Sequence, residues 1–398
     1  MTDARKNAVV TPAGWRDALD RAREFSPFLC QSLDRLPDLE ALLAMGEVEA
    51  AIVWAKQAGD DASDHGVAMR RERLALAAAL AVGDLAGALP VERVMRELSD
   101  LADRSLDRAI TAAIQKRVPD AQPQGFIGIA LGKHGAQELN YSSDIDPILL
   151  FDPETLPRRD RDEPGEAAQR HARDVVQMLS NNTAEGYVFR VDLRLRPASE
   201  VSPLAISVNG ALTHYESLAL PWERAAYIRA RAASGDVKAG EAFLGAVQPF
   251  VWRRSLDFGA ITEITRLTAR IRETYKGPLT PGPGYNVKQG RGGIREVEFF
   301  AQTHQLIHGG RDPSLRLRGT RAALDALNVD CGNCTEKEDF VARLVAAAFE
   351  KELLDRYNDG FVREFSPRGP DAGATPAPPL PPPAPRRHAS SVRTSSPS

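Results

Sequence analysis

Residues 132–152 read GKHGAQELNYSSDIDPILLFD, and Asp144 and Asp146 stand two apart where an apolar run, residues 145–151 (IDPILLF), begins. Alternate side chains of a strand point the same way, so the two carboxylates share one face while Ile145 between them turns toward a core. Upstream, Gly132 and Gly135 separate another apolar run, residues 126–131 (FIGIAL), from what reads as a short helix. Backbone N–H groups exposed at such a turn can meet a phosphate. Two like charges held side by side call for a cation. Hard oxygen ligands suit Mg2+, which takes one or two protein carboxylates and leaves its other positions to water and substrate phosphates. Taken alone, the pair also reads as two solvated aspartates at a strand end.

Working outward, residues 188–195 (VFRVDLRL) alternate almost strictly, with Arg190, Asp192, Arg194 and Arg196 on one face and Phe189, Val191, Leu193 and Leu195 on the other. That period predicts a half-buried strand. Asp192 is then a third carboxylate, which the flanking arginines could equally pair across the strand face. Glycine turn, paired aspartates and a later strand aspartate together suit two metal ions stabilising the attacking and leaving oxygens of an in-line phosphoryl or nucleotidyl displacement. A Walker A loop is excluded, because Ile127 stands five before Gly132 and His134 follows Lys133. The dinucleotide fingerprint lacks its first glycine, since Ala130 precedes Gly132 by two.

The surrounding chain is helical in pattern. Between residues 15 and 117 it is rich in Ala, Leu, Glu and Arg, and Val94, Leu98, Leu101, Leu106, Ile110 and Ala113 recur at helical steps. A helix is predicted over residues 167–179, and helices return from residue 209 to about residue 365. The expected organisation is a helical region (1–117), a mixed catalytic region (118–300), a second helical region (301–365) and a Pro-, Ala- and Ser-rich tail (366–398). Such a tail has too little apolar area to offset the entropy of ordering, so disorder is expected there.

Composition bounds the rest. The 398 residues are 43% hydrophobic and 26% charged with a net charge of -3, so a surface for polyanions can exist only as a local patch, which disfavours nucleic-acid polymerisation. Cys30, Cys331 and Cys334 make neither a disulfide framework nor a zinc module. No signal peptide or membrane span is expected, which points to the cytoplasm.

Four ordered blocks carry a resemblance: GKHGAQELNYSSDIDPILLFD, GYVFRVDLRLRPASEVSPLAIS, PWERAAYIRARAASGD and VKQGRGGIREVEFFAQTHQLIHGGRDPSLRLRGT. Across residues 89–327 the chain resembles the bifunctional glutamine synthetase adenylyltransferase/adenylyl-removing enzymes, ATP-binding multifunctional regulators of nitrogen metabolism. Their catalytic halves belong to the DNA polymerase β-like nucleotidyltransferase superfamily. The resemblance implies an α+β fold with a mixed sheet embedded between helical regions. WERAAYIRAR and GGIREVEF are similar to the adenylyl-removing half, and no second D-x-D block follows.

By resemblance, Asp144, Asp146 and Asp192 are the catalytic, Mg2+-binding carboxylates. Gly132, Lys133, Gly135, Ser143, Arg194, Arg196, Arg224 and Lys288 are candidates for nucleotide or phosphate contacts, although the arginines also read as surface ion pairs. The implied reaction is phosphorolysis of adenylyl-tyrosine on adenylylated glutamine synthetase, releasing ADP, with a PII-type signal protein as a further partner. Transfer of AMP or UMP to another regulatory protein, and a silent fragment that only binds glutamine synthetase or a PII-type protein, are the alternatives. Three departures stand out. Pro147 replaces a strand-forming aliphatic and is tolerable only at an edge or strand end. His134 replaces an apolar residue and reads as packing. Beyond residue 328 the expected continuation gives way to CGNCTEKEDF, so the end reads as truncated or frame-shifted.

Overall fold

The computed structural model describes residues 10–254, 266, 273, 275–278, 285–290 and 293–330, all within one unit, Met1–Phe365. The tail, the helical continuation past residue 330, Cys331, Cys334, Arg291 and Gly292 lie outside the described residues. Six helices come first: α1 (Pro12–Phe25), α2 (Pro27–Arg35), α3 (Pro37–Ala44), α4 (Val48–Gln57), α5 (His65–Leu85) and α6 (Val91–Gln115). Proline opens the first three, where its missing N–H costs nothing and its fixed φ is already helical. Thr11 and Ser26 cap α1 and α2 by accepting from Gly14 N and Leu29 N. The central helix α5 buries residues on every side, including Ala75 through Val82, so it forms the spine of the bundle. Helix α6 is one-sided, and its predicted stripe of Val94, Leu98, Leu101, Leu106, Ile110 and Ala113 is buried as expected.

The sheet has the order β3-β2-β1-β4. Strand β1 (Phe126–Leu131) runs antiparallel to both β2 (Asp146–Phe151) and β4 (Arg231–Gly235), and β2 runs parallel to β3 (Ala205–Ser207). The short helix α7 (Gly132–Gly135) joins β1 toward β2, and α8 (Pro164–Ser180) follows β2. After β3 come α9 (Val208–Ser217) and α10 (Pro221–Tyr227), and α11 (Val237–Val251) follows β4. Helices α12 (Ile294–His308) and α13 (Thr320–Asp330), with a 3-10 turn (Pro313–Leu315) between them, complete the described elements.

Both faces of the sheet are covered, which is why β1 is buried at all six positions. Phe126, Leu149 and Phe151 join the core built with α6 and α8, whereas Ile127, Ile129, Leu131, Ile148 and Leu150 join Tyr215, Phe243, Val247 and Phe250 on the other side. Strand alternation thereby divides one sheet between two cores. Asp146 falls in register with Ile148 and Leu150, at the end of the second core. Among the described residues no helix is long and apolar enough to cross a membrane.

Two strand expectations need correction. Residues 188–195 make no ladder: Val188 N and Phe189 N both donate to Leu179 O, and Arg194 N donates to the Asp192 carboxylate. These competing acceptors leave a single parallel bridge, Ile145↔Val191. Strand β4 lies where the sequence pattern gave helix. Its Arg-Ala-Ala-Ser-Gly composition has little strand preference of its own, and it pairs with β1 because small residues let the backbones close under α6. The approach is close at Gly128, where a Cβ would stand 2.2 Å from Ser234 Oγ and 3.2 Å from Leu106 Cδ2.

The free edge of β2 is shared. Ile145 exchanges bonds with residues 190 and 192, and β3 begins only opposite Leu149. Residue 147 presents its backbone to that same edge, so Pro147 occupies the gap between the two partners, where no donor is required.

The Gly128 contact makes a test of the fold. Gly128→Ala is expected to cost about 1–3 kcal/mol by overpacking. Adding Ser234→Ala is expected to recover most of that loss in urea denaturation, and equal losses in the single and double variants would rule out the contact.

Candidate functional site

The turn between β1 and β2 carries the first group of predicted residues. Gly132 has φ +56°, and a Cβ on it would lie 2.5 Å from Asp146 Oδ2. Both conditions require glycine, so the residue sets how closely the carboxylate can approach the turn. At Gly135 a Cβ would strike Arg229 O at 2.1 Å, which seats the far end of α7 against the chain entering β4. Ser143 serves the loop before the aspartates: its Oγ donates to Asn140 Oδ1 (2.7 Å) and accepts from Asn140 N (3.1 Å). Ile145 is fully buried, as the D-x-D reading requires, with Asp144 exposed and Asp146 half-buried on either side.

The bridge between Ile145 and Val191 brings Asp192 alongside. Asp192 N donates to Ile145 O (2.9 Å), and Ile145 N donates to Arg190 O (3.0 Å). Asp144 and Asp192 therefore both act by charge on Asp146 at the head of β2, even though the predicted third strand is absent. Burial raises the Asp146 carboxyl to about 7, and the negative charges of Asp192 and Asp144 add to the rise against the opposing pull of Lys288 and Arg194. Asp192 behaves oppositely, because hydrogen bonds from the Arg194 side chain hold it below the usual carboxylate range.

Arginines answer the outer two charges. Arg190 Nε donates to Asp144 Oδ1 at 2.5 Å and its Nη2 to Ser142 O at 2.6 Å. Arg194 pairs with Asp192 through Nε (2.8 Å to Oδ2) and Nη2. With these pairs in place, no three His, Cys, Asp or Glu side chains among the described residues form a metal-ligating group. The donor set is still of the kind a divalent cation takes, hard carboxylate oxygens, with Asp146 acted on by the charges of both Asp144 and Asp192.

The remaining candidates divide. Lys288, exposed, acts by charge on Asp146, and Lys133 acts on Glu138 and Glu298. Arg196 is turned to its own loop, its guanidinium donating to the carbonyls of Leu193, Ser199, Ser202 and Pro203. Arg224 is buried with its guanidinium 5.2 Å from the centroid of the Phe250 ring. Its neighbour Glu223 is engaged by His214 Nε2 (2.9 Å) and Leu220 N (2.8 Å).

Sequence reasoning left several contributors outside the candidate set. Arg190 was signalled by its place two before Asp192 on the polar face. Tyr187 accepts from Arg190 Nη1 at 3.1 Å and lies under Arg73, 4.4 Å from its ring centroid. His134, fully buried, has Nε2 2.7 Å from Asp103 Oδ1, and Arg231 grips the same carboxylate at 2.7 and 2.8 Å. It is thus a packed residue, as read from the sequence, but one tied by an ion-paired partner to α6. No local pattern announces Asp103, which sits beside the apolar stripe of that helix.

Asp146 gives a pH-dependent test. Its carboxyl is raised on folding, so the associated stability is full below its unfolded value near 4 and lost as pH rises through about 7. In metal-free buffer Asp146→Asn is expected to flatten this loss and to be the more stable protein above pH 7, by up to about 4 kcal/mol. Parallel wild-type and variant curves in chemical denaturation from pH 4 to 8 would contradict the raised carboxyl.

Comparison with known proteins places the chain in a family. The family model for glutamate-ammonia ligase adenylyltransferase matches residues 20–246, and that for GlnD PII-uridylyltransferase matches residues 266–352. The chain is 40% identical over 347 residues to the bifunctional glutamine synthetase adenylyltransferase/adenylyl-removing enzyme of Bradyrhizobium diazoefficiens, covering 81% of this chain and 34% of that protein. It is 44% identical over 297 residues to the protein of that name in Caulobacter vibrioides, covering 71% and 30%. For the Agrobacterium fabrum protein the figures are 45% over 268 residues, 65% and 27%. The chain spans about a third of the length of the curated relatives it matches. The α+β fold, the carboxylates gathered at the head of β2 and a family match across residues 20–246 lead to one conclusion: the chain belongs to the glutamine synthetase adenylyltransferase family of nucleotidyltransferases.

Proposed function

We propose that this chain is the adenylyl-removing portion of such an enzyme, acting on adenylylated glutamine synthetase by phosphorolysis. The observation that carries the reading is the meeting of Asp144, Asp146 and Asp192 beside the Gly132 turn. Residues 118–300 are the catalytic region in this proposal, flanked by helical regions 1–117 and 301–365, with a cytoplasmic location. The wording of WERAAYIRAR and GGIREVEF favours removal over attachment.

The three aspartates would hold Mg2+, which supplies charge neutralisation at the phosphoryl oxygens when bound. Each side chain has a separate task around the substrate. The turn at Gly132 and Gly135, with Lys133, receives nucleotide phosphate, and Lys288 and Arg194 add positive charge on the side of Asp146. Ser143, Arg196 and Arg224 act from behind, holding the loops and helix on which those groups stand. Inorganic phosphate then attacks the α-phosphorus of adenylyl-tyrosine. The new P–O bond gives ADP, the bond to the tyrosine oxygen breaks, and that oxygen takes up a proton. No protein nucleophile is needed, since such transfers rest on positioning and charge neutralisation.

A second reading is supported by the match of residues 266–352 to a PII-uridylyltransferase model. In it the chain transfers a nucleotide to a PII-type protein, or docks one as a regulator. Mass analysis of a PII-type protein incubated with the chain and ATP or UTP separates the two, because a nucleotide-sized mass gain belongs only to transfer.

Incubation of the chain with adenylylated glutamine synthetase, phosphate and Mg2+ is expected to release ADP with saturation in phosphate. AMP release in phosphate-free buffer would replace phosphorolysis by hydrolysis. Asp144→Asn and Asp146→Asn are each expected to lower the rate by at least about a hundredfold, as loss of a transition-state charge contact does. Rates within twofold of wild type in either variant would remove the aspartates from the reaction.

A further inference from the structure

Behind the phosphate turn lies a group of charges that the reaction does not use directly. Glu138 is buried, six residues after Gly132, and its N–H donates to Lys133 O at 2.8 Å. The chain returns there through Gln137, a non-glycine residue at φ +59°. Such a conformation costs of order 1 kcal/mol and persists only where the surroundings fix it. What fixes it comes from far along the chain. Thr320 N, at the start of α13, donates to Glu138 Oε1 at 2.9 Å. Arg229, buried, donates from Nη2 to Thr320 Oγ1 at 2.6 Å and from Nη1 to Glu298 Oε1 at 3.1 Å.

Charge arithmetic completes the picture. One guanidinium serves two carboxylates, Glu138 and Glu298, and leaves one negative charge over in a site largely closed to water. Lys133 acts by charge on both carboxylates. Burial raises Glu138, and Arg229, Thr320 N–H and Lys133 oppose the rise. At Glu298 burial pushes the same way, but Arg229 and Lys133 outweigh it and hold the carboxyl below its ordinary range. Glu138 Oε2 is buried without a hydrogen-bond partner, so this oxygen depends on electrostatic compensation.

We propose that Glu138 and Glu298, fixed by Arg229 and Thr320, are positioning residues that hold the Lys133 ammonium beside the Gly132 turn for a nucleotide phosphate. The inference rests on the reading of that turn as a phosphate subsite. It assigns to three distant parts of the chain, residues 132–138, 229 and 298–320, one shared task. The carboxylates touch no substrate. Glu298 also acts by charge on Lys288, whereas Lys133 is the lysine that acts on Glu138, so the effect of Glu138 reaches the phosphate through Lys133 and disappears when Lys133 is removed.

A double-mutant cycle reads this dependence directly. ADP is titrated calorimetrically into the full chain with Mg2+ at fixed concentration, with folding checked by thermal melting. Lys133→Gln and Glu138→Gln are each expected to weaken ADP binding about tenfold, and the double variant no more than the weaker single, where independent sites would multiply to about a hundredfold. If Glu138→Gln does not fold, Glu138→Asp takes its place in the cycle. Wild-type affinity in the glutamate variant, multiplicative losses, or absence of ADP binding by the wild-type chain would each overturn the proposal. The reaction reading is judged separately by ADP formation, so a chain that binds ADP but produces none sinks that reading and leaves the cycle readable.

Discussion

The carboxylate of Asp146 lies so near the backbone of Gly132 that one added carbon would sit 2.5 Å from it. Much of the neighbouring architecture follows from holding a charge in that position. The strand that carries Asp146 must be anchored on both faces, and Ile145, Ile148 and Leu149 provide the anchors in two different cores. The turn must come close without a side chain, and glycine with a positive φ permits it. Two further carboxylates crowd the same end of the strand. Arginines hold those outer two, while the inner one retains the repulsion. Such an arrangement costs stability once the pH is high enough for Asp146 to ionise.

How far this was legible from sequence depends on the range of the interactions. The aspartate pair, the glycine turn, β1, most of β2, α6 and α8 depend on local periodicity and turn chemistry, and each was readable. Residues 188–195 have equally clear alternation and form no ladder, because the carbonyl of Leu179 and the side chain of Asp192 take the backbone donors first. Periodicity describes which face is apolar and is silent about which acceptor wins. Strand β4 was missed for the converse reason: its small residues carry no strand preference, and close packing under α6 selects them.

Within the site, chemical type was easier to read than role. Arg194, Arg196 and Arg224 were grouped by their guanidinium chemistry, yet one pairs with Asp192, one gathers four loop carbonyls and one lies over Phe250. Arg190, on the same predicted face, takes the partner that matters for Asp144. Glu138 was inside the quoted stretch, but its meaning depends on Arg229 and Thr320, which no spacing rule links to it. Sequence motifs name the groups that do chemistry, and long-range contacts decide which groups support them.

The bond from Thr320 to Glu138 spans 182 residues. A ribosome emits the chain from its N-terminus, so the glycine turn and all three aspartates are exposed to the cell long before the segment that backs them exists. During that interval Glu138 has neither its helix N-terminus nor the Arg229–Thr320 clamp. Closing so long a loop is slow relative to forming the helices and hairpins around it. Synthesis therefore imposes an order of assembly: scaffold and carboxylates first, and the bond that ties Glu138 behind the Gly132 turn only once residue 320 has emerged.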